Sequence, residues 1–139
     1  MADSIFTKII NREIPGHFVY EDELVVGLLD INPVHKGHTL IIPKTPFENA
    51  FDGDPEVLAH MMKVGQMVAK ALQSGLKADG VNLFMNNGEA ANQEVPHAHL
   101  HVVPRFSGDG SFTPPTHETY EAESEKETVA TQIVAALED

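Results

Sequence analysis

Cysteine is absent from this sequence of 139 residues. The absence excludes disulfides, thiolate nucleophiles, iron–sulfur clusters and cysteine-ligated zinc, and it is compatible with a reducing, cytoplasmic location. Basic residues are also scarce: 9 Lys and Arg stand against 21 Asp and Glu, giving a formal net charge of −12. Because such a charge repels polyanions, we expect neither nucleic acid nor an anionic membrane as a partner.

Long hydrophobic runs are missing as well. Near the start, the longest apolar stretch is Leu24–Leu29, and Asp3 interrupts any basic leader region. We therefore predict neither a membrane span nor a signal peptide. Hydrophobic residues make up 42% and charged residues 22% of the chain, as in average globular proteins. The length predicts a single domain over residues 1–139.

Hydrophobic periodicity predicts three helices and five strands. The predicted elements are a short helix over Ser4–Asn11, strands over 17–21, 24–30, 38–42, 81–85 and 97–103, a long helix from a cap at Asp54 to Leu76, and a final helix from a Ser124–Glu127 capping box to Leu137. Residues 107–119, rich in Gly, Pro, Ser and Thr, are expected to be irregular. Local pairings with one helical crossover favour an α+β domain on a largely antiparallel sheet over a doubly wound parallel fold.

Three histidines, His97, His99 and His101, alternate with apolar residues in the last predicted strand. Side chains on a strand alternate between its faces, so the three imidazoles are predicted to share one face. One histidine on a strand is more often structural than functional. Burying three titratable groups costs free energy that aliphatic side chains would not cost, so the row predicts a functional site.

Two kinds of chemistry suit such a row. Zinc ligands must converge to about 2.0–2.1 Å from the metal, whereas the rise of a strand separates His97 from His101 by about 13 Å. A neighbouring pair, such as His97 and His99, could still bind a metal together with His38. Alternatively, one neutral imidazole attacks a phosphorus atom while the others hold the phosphate. We favour phosphoryl transfer, with no metal and no cofactor.

Further segments accompany the histidine row in a fixed order. They are 4–10, Glu13-Ile14-Pro15, Tyr20-Glu21-Asp22, 29–33, 37–44, Asn86-Asn87-Gly88 and Gln93-Glu94-Val95. Together with His97–Val103, they resemble the histidine triad (HIT) family of nucleotide-binding proteins over roughly residues 4–105. Residues 106–139 would add a C-terminal loop and helix. The resemblance implies a HIT-like fold with a five-stranded sheet, one long helix and shorter terminal helices.

The resemblance also implies roles for the histidines. His99 would attack the α-phosphorus of a purine nucleotide conjugate and form a nucleotidyl-histidine. His97 would orient His99 through its backbone carbonyl, and His101 and His38 would contact the phosphate. Without the resemblance, His38 alone would be interpreted as a satisfied buried histidine.

The remaining site residues implied by the resemblance surround the substrate. Asn86 and Gln93 would line the phosphate pocket, and Asp30 would bind the ribose. An apolar clamp on the base would consist of Ile5, Phe6, Ile9, Leu28 and Ile31. From the residues alone, Phe6, Ile9 and Leu28 would be core and Asp30 a turn residue at a strand end.

Two departures from the family pattern matter for chemistry. Ser4 and Thr7 stand where some members begin a zinc site with cysteines, so structural zinc of that type is not expected. Glu94 stands where phosphoramidase relatives can have a serine that contacts the leaving group. Its carboxylate would assist an amine leaving group if protonated and repel the phosphate if ionised.

The resulting hypothesis is a homodimeric hydrolase of purine nucleoside phosphoramidates or related AMP and GMP conjugates. Three alternatives stay open: a nucleotide-binding regulatory protein with little turnover, a dinucleoside polyphosphate hydrolase, and a histidine metal-binding module.

Overall fold

The structure, a computed structural model, describes residues 3–110 and 117–137. The chain divides into two compact units, residues 1–109 and 110–139. Assignment of residues 1–139 to a single domain stays a prediction. In the predicted irregular segment, residues 107–110 and 117–119 have no helix or strand, and 111–116 lie outside the described residues. No helix in the described ranges is long and apolar enough to cross a membrane.

The first unit is a five-stranded sheet with two helices. Its elements are α1 (Ile5–Ile10), β1 (Phe18–Glu21), β2 (Val25–Leu29), β3 (Thr39–Pro43), α2 (Pro55–Leu76), β4 (Gly80–Phe84) and β5 (Leu100–Arg105), with a 3₁₀ turn at Glu89–Ala91. The strands lie in the order β1-β2-β3-β5-β4, and every neighbouring pair is antiparallel. This confirms the predicted α+β class with a largely antiparallel sheet.

Both helices of this unit begin at capping residues that the sequence indicates. The Ser4 side chain accepts a hydrogen bond from the Thr7 amide at the start of α1. Asp54 does the same for Glu56 at the start of α2, and Pro55 occupies the first turn. In both cases a side-chain oxygen satisfies a backbone N–H that has no partner within the helix.

Two hydrophobic clusters lie on opposite faces of the sheet. One packs beneath α2 and consists of Val25, Ile41, Phe47, Met61, Val64, Val68, Leu72, Ala98, Leu100 and Val102. The other packs beneath α1 and consists of Phe6, Val26, Leu28, Leu40 and Ile42. Alternate residues of β2, β3 and β5 thus serve the two faces. His101, between Leu100 and Val102, is on the α1 face and pairs with Leu40 of β3 and Phe84 of β4.

The predicted limits of the last strand are wrong at both ends. β5 begins at Leu100 instead of His97 and continues to Arg105. Before it, the His97 amide bonds to the Val95 carbonyl, and the Ala98 amide bonds to the Phe47 carbonyl. These backbone bonds take residues 97–99 out of the ladder with β3, so strand alternation does not govern all three histidines.

The second unit contains α3 (Glu123–Leu137). The predicted capping box at Ser124 and Glu127 is wrong, because the helix has already begun at Glu123. Instead, the Glu125 carboxylate accepts a hydrogen bond from the Glu121 amide at 2.8 Å. This bond satisfies a backbone donor just before the first turn.

Gly65 lets α2 approach β5 closely. A Cβ atom on this residue would lie 2.7 Å from Cδ2 of Leu100, whereas a Cβ on Gly75 in the same helix would meet nothing within 4 Å. We expect Gly65→Val to lower the free energy of unfolding by about 1–3 kcal/mol through overpacking. The matched control Gly75→Val should change it by less than about 0.5 kcal/mol. Denaturant unfolding of both variants measures the difference, and equal effects would contradict the assigned contact.

Candidate active site

A cavity of about 450 Å³ opens on the α1 side of the sheet. All but two of the predicted site residues line it. The predicted residues on its wall are Ile5, Phe6, Ile9, Leu28, Asp30, Ile31, His38, Asn86, Glu94, His99 and His101. The two predicted residues outside the wall are His97 and Gln93.

His99 is held by a backbone carbonyl. Its Nδ1 lies 2.8 Å from the carbonyl oxygen of His97. A carbonyl oxygen can only accept, so Nδ1 carries the proton and Nε2 keeps its lone pair. The ring is buried but lines the cavity. The His97 carbonyl thus fixes the orientation of the His99 ring, and the catalytic roles of both residues stay predictions.

The side chain of His97 is completely buried. Its Nε2 donates to the Pro43 carbonyl at 2.9 Å, so its Nδ1 is the unprotonated nitrogen. The Ser4 hydroxyl lies 2.6 Å from that Nδ1. Phe6 makes T-shaped contacts with both rings, with centroid distances of 5.7 Å to His97 and 5.0 Å to His99.

His38 and His101 form a second hydrogen-bonded pair. The Val34 amide donates to Nδ1 of His38 at 3.1 Å, which leaves the His38 proton on Nε2. That nitrogen lies 3.0 Å from Nδ1 of His101 and therefore donates to it. The proton of His101 must then be on Nε2, on a ring that stacks against Phe84 with centroids 4.5 Å apart.

This pair corrects the expected role of His38. Both of its nitrogens have partners inside the protein, so a phosphate contact by His38 itself is not available in this arrangement. Its contribution to a bound phosphate is instead indirect, through the orientation of the N–H of His101. The ring of His101 also lies beside that of His99, with centroids 4.9 Å apart.

Burial keeps all four imidazoles neutral near pH 7. Desolvation is the largest cause of the lowered pKa of His38, His97 and His99. For His101, burial and the neighbouring His99 and His38 lower the pKa to about 4. Around His99, the His97 carbonyl and the charges of Asp30 and Glu94 oppose the shift. Because the cavity wall contains no Lys or Arg from residues 3–110 or 117–137, a phosphate there would meet neutral N–H donors.

Asp30 has two roles in the structure. Its Oδ1 accepts from the Asn32 amide at 2.8 Å, the turn contact expected of a strand-end residue. Its Oδ2 lies 3.6 Å from Nε2 of His38. Potential ligand atoms of Asp30, His38 and His101 lie within 4.8 Å of one another. Within the part of the chain that the structure describes, this set, rather than His38 with His97 and His99, is the candidate metal cluster.

Gln93 does not lie where the resemblance suggests. Its Oε1 accepts from Asn49 and from the Gly88 amide, and its Nε2 donates to the Glu48 and Val95 carbonyls. The side-chain amide is thus fully engaged in holding the loop that precedes the histidines. Gln93 lines a neighbouring cavity of about 580 Å³ instead, which shares Asn92 and Glu94 with the histidine cavity.

The N-terminal hydroxyls do not suit zinc. Ser4 Oγ lies 2.6 Å and Thr7 Oγ1 3.5 Å from Nδ1 of His97, so a zinc ion at this position would meet two hydroxyls and one imidazole nitrogen. Protein zinc sites use thiolate, imidazole and carboxylate ligands, and neutral hydroxyls are poor substitutes. The residues present therefore do not fit that group.

Sequence reasoning missed several site residues. Phe84 became visible only through the β4–β5 register, which pairs it with His101. The Val34 amide and the Asn92 side chain belong to loops whose path has no local sequence signal. Ser4 had a recognisable role as a helix cap, but its contact with His97, 93 positions away, did not follow from that role.

Comparison with known proteins adds independent information. The model of the HIT domain matches residues 11–108. A HIT-like protein from Methanocaldococcus jannaschii is 47% identical over 106 residues, 76% of this chain and 81% of the relative. Adenylylsulfatase HINT3 of Arabidopsis thaliana is 34% identical over 97% of this chain and 68% of its own length. A crystal structure of a HIT family member from Bacillus subtilis matches with a TM-score of 0.86 and 35% identity over 96% of each chain, which confirms the predicted fold.

The lowered histidine pKa values predict acid sensitivity. A group whose pKa is lower in the folded than in the unfolded state stabilises the fold above its unfolded pKa, near 6.5, and this stability is lost as pH falls toward the folded value. We expect the free energy of unfolding to fall between about pH 7 and pH 5, measured by urea denaturation. His101→Asn should make that slope shallower, and a pH-independent stability in this window would contradict the assignment.

Proposed function

This chain belongs to the HIT domain family, and we propose that it hydrolyses purine nucleoside phosphoramidates or related nucleoside monophosphate conjugates through a nucleotidyl-histidine at His99. The observation that carries the proposal is the His99 tautomer. With Nδ1–H bound to the His97 carbonyl, the lone pair of Nε2 is available at the cavity wall. A neutral imidazole in this state is a competent nucleophile toward phosphorus.

The proposed reaction is a double displacement. Nε2 of His99 forms a bond to the α-phosphorus while the bond from phosphorus to the leaving group breaks. The resulting imidazolium is stabilised by the His97 carbonyl and by the negative charges of Asp30 and Glu94, which favour the charged form of His99. Water then attacks the same phosphorus, and the nucleoside monophosphate leaves with His99 restored to its neutral form.

His101 would stabilise the phosphate during both steps. Its Nε2–H has no hydrogen-bond partner among the described residues and belongs to a ring on the cavity wall. Preorganised donors of this kind strengthen as charge develops in the transition state. Asn86 lines the same wall and can supply a further donor.

The purine would occupy the apolar end of the cavity. Ile5, Phe6 and Ile9 of α1 face Leu28 and Ile31 across it. Ile31 is 85% exposed and Ile5 is 47% exposed, which leaves apolar surface for a planar base to cover. Phe6 and Leu28 are buried and belong to the hydrophobic core, as expected from the residues alone. Their contact with the base is part of the proposal.

The neighbouring cavity favours an amine as leaving group. Glu48, Glu89 and Glu94 line it, and no Lys or Arg of the described residues does. An amine or lysine side chain suits these surroundings better than the polyphosphate released from a dinucleoside polyphosphate. Glu94 lines both cavities, so its carboxylate can accept a hydrogen bond from the departing amine, which takes its proton from water. The adenylylsulfatase relative makes adenylyl sulfate a second substrate to compare in the same assay.

The nucleophile can be tested directly. His99→Ala should lose at least about 10³-fold of adenosine phosphoramidate turnover while keeping most of its affinity for AMP, because the covalent step is lost and the cavity is not. Mass spectrometry of rapidly quenched wild-type protein should detect an adduct of one nucleotidyl group on His99. Activity of the variant within tenfold of wild type would exclude His99 as the nucleophile.

The same assay separates the alternatives. Treatment with a strong chelator should leave the wild-type rate unchanged, since no step of the proposed reaction uses a metal. Loss of activity on chelation, restored by zinc, would replace His99 attack by metal-activated water, with Asp30, His38 and His101 as the candidate ligands. Nucleotide binding without an adduct would favour the regulatory protein.

The family resemblance further suggests a homodimer whose sheets join. β4 ends the strand order, so one edge of it is unpaired within the described sheet. Partly exposed apolar side chains lie on this strand and on the adjacent helix α2: Leu83, Met62 and Met67. Pairing of two β4 edges would continue the sheet and cover these residues.

Light scattering can test this dimer. Leu83→Arg should shift the protein from dimer to monomer, because a charge would be buried in the proposed contact. Val19→Arg, on the half-exposed face of the opposite edge strand β1, is the matched control and should leave the dimer intact. A wild-type protein that is monomeric at micromolar concentration would refute the proposal.

A cytoplasmic location and the absence of nucleic-acid and membrane partners stay predictions from composition.

A further inference from the structure

We infer that Ser4 is a positioning residue for the reaction, whose hydroxyl donates to Nδ1 of His97 and thereby fixes the carbonyl that orients His99. The inference rests on the proposed function for its catalytic consequence. Its structural part, the tautomer and the hydrogen bond of His97, stands on the geometry of the described residues alone.

The direction of each hydrogen bond follows from its partners. Nε2 of His97 lies 2.9 Å from the Pro43 carbonyl, an obligate acceptor, so this nitrogen carries the ring proton. Nδ1 must then accept, and the Ser4 hydroxyl, 2.6 Å away, must donate to it. The Ser4 oxygen still has a free lone pair, which accepts from the Thr7 amide at 3.1 Å.

The hydroxyl is needed because His97 has no access to water. Its side chain is 0% exposed, so an unpartnered Nδ1 would be a buried polar atom without a hydrogen bond. The cost of this unsatisfied atom would favour either rotation of the His97 ring or transfer of the ring proton from Nε2 to Nδ1. The latter would set the lone pair of Nε2 against the Pro43 carbonyl.

Either change would alter the orientation of His99. The carbonyl of His97 is the acceptor for Nδ1–H of His99, so the ring that Ser4 holds and the carbonyl that holds His99 belong to one residue. Phe6, two positions after Ser4 in the same helix segment, packs its ring edge-on against both imidazoles. The start of α1 thus restrains His97 and His99 together.

Thr7 offers a natural comparison within the same turn. Its hydroxyl lies 3.5 Å from Nδ1 of His97, at the limit of a hydrogen bond, and 3.3 Å from the Ser4 hydroxyl. The shorter Ser4 contact dominates because hydrogen bonds weaken steeply with distance. Thr7→Val therefore removes a nearby hydroxyl while leaving the principal donor in place.

The alternative role of Ser4 is that of a helix cap alone. Glycine is among the residues that helices accept at the N-cap, so Ser4→Gly removes the donor with little loss of capping. If capping were the whole role, this variant would behave like wild type. Ser4→Thr retains both the cap and the donor.

Kinetic measurements should separate these variants. We expect Ser4→Gly to slow formation of the His99 adduct about tenfold, with the dissociation constant for AMP changed by less than about threefold, because orientation rather than the cavity is altered. Ser4→Thr and Thr7→Val should form the adduct within about threefold of the wild-type rate. An unchanged rate in Ser4→Gly would overturn the catalytic part of the inference.

Histidine ¹⁵N NMR provides a readout that does not depend on activity. Wild-type His97 should show an unprotonated Nδ1 and a protonated, slowly exchanging Nε2, and these resonances should shift in Ser4→Gly but not in Thr7→Val. A proton on Nδ1 in the wild type, or an unchanged spectrum in Ser4→Gly, would overturn the inference. If wild type forms no adduct, the proposed function fails, whereas the His97 spectrum still decides the role of Ser4.

Discussion

The hydrogen bond from Nδ1 of His99 to the His97 carbonyl is the contact on which the site depends. It exists only because residues 97–99 leave the β5 ladder, which frees a backbone carbonyl to turn toward a side chain two positions later. The bond determines which nitrogen of His99 is protonated, and hence which nitrogen can attack. The surrounding contacts, from Ser4 and Pro43 to Phe6, keep that one carbonyl in place.

The proposed reaction requires an acidic protein to bind a phosphate at buried imidazoles that carry no positive charge. In a chain with a net charge of −12, long-range electrostatics does not attract an anion. The lowered pKa values mean that the imidazoles also contribute no positive charge near neutral pH, since desolvation disfavours their cationic forms. Specific N–H donors with fixed directions remain. The His38–His101 pair supplies such a donor because a single backbone amide, that of Val34, determines both tautomers.

The sequence predicted those features that depend on local patterns. The cap at Asp54 and the apolar stripe through Met61, Val64 and Val68 define α2 without reference to the rest of the chain. Most residues of the cavity wall followed from the family resemblance. The positions of Gln93 and His38 could not be predicted in this way, because their side chains contact backbone groups of loops: the Glu48 carbonyl for Gln93 and the Val34 amide for His38. Such contacts depend on loop paths, which have no periodic signal.

The alternation of histidines with apolar residues predicted that three imidazoles share one face of a strand, and the structure keeps only part of that arrangement. A regular strand would carry His97 and His101 on one face about 13 Å apart, too far to share a substrate atom. In the structure only His101 obeys strand alternation, and the irregular backbone before it brings the His99 ring to 4.9 Å from that of His101. His97 then turns inward and becomes fully buried. Because the strand is interrupted, the three histidines differ in their contacts. The His97 carbonyl holds the His99 ring, His99 has a lone pair on Nε2, and His101 has a proton on Nε2.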